Sequence, residues 1–255
     1  MRRAAELAHP RNWLPPLVAF GLLLVFWQAV AVHDRFVLPT LGAVWDRLVD
    51  DPTRFLQSGG DTLAEALPGV AVSYFAALLV ALAMNQSRLV SRAVLPLAVA
   101  LNVTPLIAIA PTLAISIGLN RSPRVVLTAL ITFFPVLINS IVGLRAADPK
   151  TLEVFQTLSA SRWETLWHLQ LPSSLPYLFA AARVVVPLSV VGASIAEMVT
   201  SGPSVGLGYW IQLWSSSNQL DYAWAGIVTL ALFGLLLTGL VVVAEDRVLR
   251  WRGFR

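Results

Sequence analysis

Apolar positions in this chain are gathered into long runs instead of alternating with polar ones. Stretches free or nearly free of charge fall at about Leu14 to Val32, Leu63 to Met84, Ala93 to Leu119, Val125 to Leu144, Tyr177 to Val199 and Ala223 to Ala244. Each is near the ~20 residues that a spanning helix needs. The pattern predicts an all-α membrane protein of about six transmembrane helices. The fifth stretch holds Arg183, placed to snorkel to the inner interface, and Glu197, which has to be paired or wet. Between the first two stretches, His33 to Thr62 carries Asp34, Asp46, Asp50, Asp51 and Asp61, and Val44, Leu48 and Phe55 recur at roughly helical spacing. That suits a short helix on the outer membrane face. Pro96, Pro105 and Pro111 all fall in the third stretch. Each removes a backbone donor, so this stretch is either a bent packing helix or a discontinuous helix beside a translocation path.

The charged loop of residues 145–172 has its own pattern. Asp148-Pro149 is a helix start, a capping carboxylate followed by proline at the first helical position. Leu152, Phe155 and Leu158 then form an apolar stripe, and Ser159-Ala160 interrupts it. Ser161-Arg162-Trp163-Glu164 satisfies the capping-box pattern, Trp163, Leu166 and Trp167 share a face of a second helix, and Pro172 is expected to end it. Two short amphipathic helices at an angle make a knob, with Glu153, Arg162 and Glu164 towards its polar side. A knob can fill a cleft on a partner, or rest on lipid anchored by its tryptophans.

Composition agrees with a bilayer as solvent: 57% of residues are hydrophobic, 13% are charged and the mean hydropathy is +0.73, too little polar surface to close over a soluble core. With the N-terminus inside, the inner segments hold Arg2, Arg3, Arg11, Arg88, Arg92, Arg145, Lys150, Arg162, Arg247, Arg250, Arg252 and Arg255. The outer loops then hold only Arg35, Arg47, Arg54, Arg121 and Arg124. Both termini and the loop of residues 145–172 are thereby predicted to be cytoplasmic, N-in and C-in. Arg2, Arg3 and Arg11 ahead of Leu14 to Val32 mimic a signal peptide, but the apolar part exceeds the ~7 to 15 residues of such a segment, and it is read as a span.

The basic balance follows from topology, with no aromatic-interleaved basic patch of the kind that binds nucleic acid. The absence of cysteine removes disulfides and thiolate metal sites, and His9, His33 and His168 are scattered, so no metal site is expected. The single lysine, Lys150, follows Pro149 and stands in no Gly-x-x-x-x-Gly-Lys run. Hydrolysis of ATP is therefore not expected of this chain, and no catalytic constellation converges. Asn102, Thr104, Asn139, Ser140, Ser189 and Ser194 are candidates to line a pore, although Ser and Thr in such helices also bond their own backbone. Gly206-Leu207-Gly208-Tyr209-Trp210 precedes a polar outer stretch and is expected to form a short helix or scoop near an outer gate, with Glu197 beside it.

Glu153, Ser159 and Leu169-Gln170-Leu171-Pro172 stand at the spacing of the docking pattern of ABC importer permeases: Glu-Ala-Ala, three residues, Gly, nine residues, Ile, one residue, Leu-Pro. Glu153, Leu171 and Pro172 are kept, Leu169 is conservative, and Val154, Phe155 and Ser159 depart. Leu38-Pro39-Thr40, Thr104-Pro105, Ala110-Pro111, Phe133-Phe134-Pro135-Val136-Leu137-Ile138-Asn139, Ala160-Ser161-Arg162, Leu175-Pro176, Ala196-Glu197 and Gly206-Leu207-Gly208-Tyr209 extend the likeness over most of the chain. The sequence resembles type I ABC importer permeases, and within them the nitrate, sulfonate and taurine branch with its thiamine-precursor pyrimidine and riboflavin members. Ser116-Ile117-Gly118 replaces the Trp-Phe-Gly of many relatives.

The resemblance implies a single permease domain over residues 1–255, in a bacterial plasma membrane. It also implies two ATPase subunits that use ATP and Mg, a second permease copy or a paralogue, and an extracytoplasmic binding protein that delivers a small anion or heterocycle. This chain would bind no cofactor. Glu153, Ser159, Ala160, Ser161, Arg162, Trp163, Leu171 and Pro172 would dock the ATPase, and Glu197, Gly206, Gly208 and Tyr209 would serve the gate. The rival reading is a self-sufficient secondary transporter or channel, which would carry internal repeats and ion-coupling groups within its spans.

Overall fold

A computed structural model describes residues 10–34, 37–200 and 205–251. His9 and the arginines at 2, 3, 35, 252 and 255, used above for orientation, lie outside them. The described residues form helices α1 (Pro10–His33), α2 (Leu41–Asp50), α3 (Pro52–Gln86), α4 (Arg88–Val103), α5 (Leu106–Ile117), α6 (Ser122–Leu144), α7 (Pro149–Thr157), α8 (Arg162–Thr165), α9 (Leu171–Val199), α10 (Leu207–Ser216) and α11 (Leu220–Trp251). Five stretches are long and apolar enough to cross a membrane, and a sixth results if the bent pair α4 and α5 is one span.

Central helices α3, α6 and α9 pack against one another, with Met84, Val136, Leu137, Leu144 and Val185 in one buried cluster. Outward faces carry exposed apolar side chains such as Phe75, Ile115 and Leu235, as lipid contact requires. α1 lies at the edge, held where Trp27 Nε1 donates to the Pro39 carbonyl at 2.9 Å and its ring meets Trp224 edge-on.

The third apolar stretch is not one straight helix. α4 and α5 meet at 95°, and the break is at Thr104-Pro105: proline removes a donor and biases its predecessor to extended backbone, and Thr104 sits at φ −70°, ψ 131°. Pro96 and Pro111 stay inside their helices. The outer segment forms α2 and then the first turns of α3, which starts on Asp51-Pro52 with the Asp51 side chain accepting the Arg54 N–H.

Pro172 does not end a helix, contrary to the sequence expectation. Residues Leu166–Gln170 make one wide π-helical turn, in which the Leu171 N–H reaches back to the Leu166 carbonyl. The ladder restarts there, so Pro172 falls in the first turn of α9, where a missing N–H costs nothing. Helical structure thus runs from Arg162 to Val199 over 38 residues.

Candidate functional site

Two regions at opposite ends of the bundle carry the chemistry. The first is the loop of residues 145–172. Asp148 accepts the Thr151 N–H at 3.3 Å and Pro149 opens α7. Ser159 occupies the left-handed region at φ 52°, a conformation easiest for glycine, and the chain turns there, with the Ala160 N–H donating to the Phe155 carbonyl at 2.9 Å. The capping box is complete: the Ser161 N–H donates to Glu164 Oε2 at 2.7 Å, and the Glu164 N–H donates to Ser161 Oγ at 3.2 Å.

Trp163 and Trp167 are 65% and 63% exposed, whereas Leu166 between them is 1% exposed and joins the central core. The expected single face of Trp163, Leu166 and Trp167 is therefore divided, Leu166 anchoring the loop and the tryptophans facing out. Leu158 also leaves the stripe expected with Leu152 and Phe155, which are half-buried while it is 75% exposed. Glu153 and Arg162 are exposed, and Leu171 and Pro172 are half-buried. Asn85, at the end of α3, donates to Gln170 Oε1 at 2.8 Å and fastens the loop to that end of the bundle.

The second region is a buried polar network. Glu197 is 1% exposed; its Oε2 accepts from Thr62 Oγ1 at 3.1 Å and from the Gly208 N–H at 2.7 Å. Thr62 Oγ1 in turn accepts the Leu207 N–H at 3.0 Å. Side chains on α9 and α3 thus satisfy free donors in the first turn of α10, as a cap contributed by other helices. Glycines make the approach possible: a Cβ on Gly206 would stand 2.0 Å from Glu197 Oε1, and one on Gly208 would stand 2.0 Å from the Ser194 carbonyl oxygen.

Glu197 also faces Glu65, whose Oε1 takes a hydrogen bond from Arg124 Nη1 at 2.8 Å. Arg124 Nε donates to Thr200 Oγ1 at 2.9 Å. Sequence reasoning placed Arg124 in an outer loop; it is 1% exposed, in the first turns of α6, because Glu65 at the same depth needs a cation. Thr62, Arg124 and Thr200 were missed. A shared depth was the available signal, since Glu65 and Arg124 both lie within a few residues of the same end of their apolar runs.

Four of the six pore candidates bond back to their own chain segment. Thr104, Ser189 and Ser194 hydroxyls donate to carbonyls of their own chain segment, at Ala100, Val186 and Val191, and Asn139 Nδ2 donates to the Pro135 carbonyl. Asn102 is exposed at the α4 corner, and Ser140 is fully buried in α6. Ser194 and Gly208 do meet, in an apolar groove of about 640 Å³ with Pro187, Met198, Ile227 and Leu230. Tyr209 packs edge-on against Trp210. Arg183 Nε is bonded to Glu245 on α11 at 2.6 Å. No group of three or more metal-ligating side chains occurs among the described residues.

A family model described as the binding-protein-dependent transport system inner membrane component matches residues 69–250. The chain belongs to this family. The match takes in the loop of residues 145–172, Glu197 and Gly206 to Gly208, and begins after Thr62 and Glu65. The permease is 32% identical over 242 residues to the formylaminopyrimidine transport permease protein of Halalkalibacterium halodurans, covering 94% of this chain and 96% of that one. It is 31% identical over 258 residues to the riboflavin transport system permease protein of Chloroflexus aurantiacus, covering 98% and 94%. A nitrate import permease protein of Leptolyngbya laminosa is 28% identical over 251 residues, covering 93% and 88%.

Among solved structures, the inward-facing MetNI methionine ABC transporter matches with a TM-score of 0.60 at 19% identity, over 77% of this chain and 95% of that chain. That likeness concerns the fold. The permease is accordingly a multi-pass inner-membrane component of a binding-protein-dependent importer of the ABC class.

Proposed function

We propose that the loop of residues 145–172 is the surface on which an ATPase subunit acts, with Glu153, Ser159, Ala160, Ser161, Arg162, Trp163, Leu171 and Pro172 at the contact. The observation that carries this reading is the division of the loop. Val154, Leu158, Trp163 and Trp167 leave apolar side chains exposed on the knob, and buried Leu166 ties it to the core shared by α3, α6 and α9. A partner gripping the knob would move the central helices through Leu166.

In this reading two permease copies, or one and a paralogue, pair with two ATPases that bind ATP and Mg. An extracytoplasmic binding protein delivers the solute, and this single-domain chain holds no cofactor. The loop and both termini face the cytoplasm. The groove at Ser194 and Gly208 is half of the path, and Glu197 holds the helix at its outer mouth.

The solute is best read as a small neutral heterocycle of the pyrimidine or flavin kind. The groove offers apolar surface with two hydroxyls, those of Ser194 and Thr238, and no cationic side chain to pair an anion. Uptake into vesicles containing the permease, its ATPase and its binding protein tests this. Competition by a formylaminopyrimidine or riboflavin, and none by nitrate or taurine, is the expected result; the reverse order would contradict it.

A further inference from the structure

At the end of the bundle opposite the loop of residues 145–172, α2, the first turn of α3, α10 and the start of α11 enclose a pocket of about 570 Å³. It is lined by Arg47, Arg54, Trp210, Trp214, Asp221 and Tyr222 among others. Its wall is an aromatic ladder: Trp210 stacks on Trp214 at 5.7 Å, and Trp214 meets Tyr222 at 5.5 Å. A guanidinium lies against each end. Arg47 Cζ is 4.6 Å from the Tyr222 ring centre, and its Nε is hydrogen-bonded to Asp221 Oδ2 at 2.6 Å, so its charge is matched. Arg54 Cζ is 4.2 Å from the Trp210 ring centre and 5.2 Å from that of Trp214.

Among the described residues the Arg54 guanidinium makes no hydrogen bond or ion pair. Asp51, its nearest acidic neighbour in sequence, accepts the Arg54 backbone N–H and the Thr53 hydroxyl on Oδ1 and makes no ion pair with the Arg54 guanidinium. A guanidinium stacked on aromatic faces keeps its in-plane N–H donors free, in a fork that matches a carboxylate. The pocket therefore holds one uncompensated, pre-oriented cation, braced by rings that limit its freedom.

We propose that this pocket receives an acidic side chain of the extracytoplasmic binding protein, with Arg54 as its partner. The inference rests on the importer reading above and adds the contact by which the binding protein is felt. Position supports it. Arg54 and Asn85 lie at the two ends of α3, roughly 46 Å apart at 1.5 Å per residue, and Asn85 is the residue bonded to Gln170 in the loop. The ladder residues Trp210 and Trp214 belong to α10, whose first turn is held by Glu197 and Thr62. A load on the pocket thus falls on the helix that the buried network secures.

The test uses the assembled importer in lipid vesicles and the purified binding protein that stimulates its ATP hydrolysis. Arg54→Gln should raise the half-saturating concentration of binding protein by about tenfold, the scale of one lost charged hydrogen bond. Arg54→Glu should raise it further, and Arg54→Lys less; the maximal stimulated rate should persist in all three. Exchanging the matching acidic residue of the binding protein for arginine should restore the Arg54→Glu permease. Unchanged half-saturation in folded Arg54→Gln and Arg54→Glu would overturn the proposal, as would a lower maximal rate at unchanged half-saturation. An effect present only in vesicles rich in anionic lipid would assign the pocket to a headgroup and overturn it too. Failure of the wild-type permease to respond to any binding protein would instead overturn the importer reading, and this inference with it.

Discussion

Glu197 Oε2 accepts the backbone N–H of Gly208 at 2.7 Å, and by that bond a spanning helix holds the first turn of the helix that follows it. Ala196-Glu197 and Gly206-Leu207-Gly208-Tyr209, which look like separate signatures along the chain, are two sides of one contact.

Glu197→Gln keeps an oxygen acceptor for Gly208 and Thr62 and is expected to preserve assembly, with a modest rise in ATP hydrolysis in the absence of binding protein. Glu197→Leu removes both acceptors and strands buried donors at about 1 to 3 kcal/mol, so the rise should be larger and the unfolding temperature lower. Basal hydrolysis and thermal unfolding of the two variants check this. Equal behaviour of Gln and Leu would deny Glu197 its capping role.

Arg124 and Glu65 are a buried pair, 1% and 0% exposed at their side chains. Removing either partner leaves a charge stranded, at a cost of about 3 to 5 kcal/mol, whereas replacing both by apolar residues costs much less. Unfolding of Arg124→Met, Glu65→Met and the double variant should show strong coupling. Simple additivity would contradict the pairing.

Ser159 sits at φ 52°. Ser159→Gly should relieve about 1 kcal/mol of backbone cost and slow hydrogen exchange at the Ala160 N–H, which closes the turn on Phe155. Ser159→Val should do the opposite, and exchange at that one amide distinguishes them.

Ser189 is fully buried and its hydroxyl is spent on the Val186 carbonyl of its own helix. Ser189→Ala is expected to change stability by no more than about 1.5 kcal/mol and to leave substrate selection untouched. Altered selectivity in uptake would place Ser189 on the path.

What could be read from the sequence is what is encoded locally. Asp148-Pro149 and Ser161 with Glu164 announced their caps because donor and acceptor lie within one turn of chain. The spans were legible from length and apolarity. Pro172 misled because the wide turn ahead of it reset the hydrogen-bond ladder, and nothing in Leu166 to Gln170 marks such a turn. Arg124 misled for a different reason: its partner Glu65 is 59 residues away, and a lone arginine at a span's edge looks the same whether it meets water or a buried carboxylate. The serines and threonines proposed for a pore could not be sorted by sequence, since a hydroxyl bonded to its own helix has no distinct signature.

The most direct test of the account is recovery of the ATPase subunit with permease variants whose fold is verified by thermal unfolding. Deleting Ser159-Ala160 removes the turn between α7 and α8 and should abolish recovery of the ATPase. Trp163→Ala, which removes an exposed ring and little packing, should reduce it severalfold, and Glu153→Ala should weaken it while leaving the fold unchanged. ATPase recovered at wild-type yield with all three variants would contradict the assignment of residues 145–172 as the surface through which transport is driven.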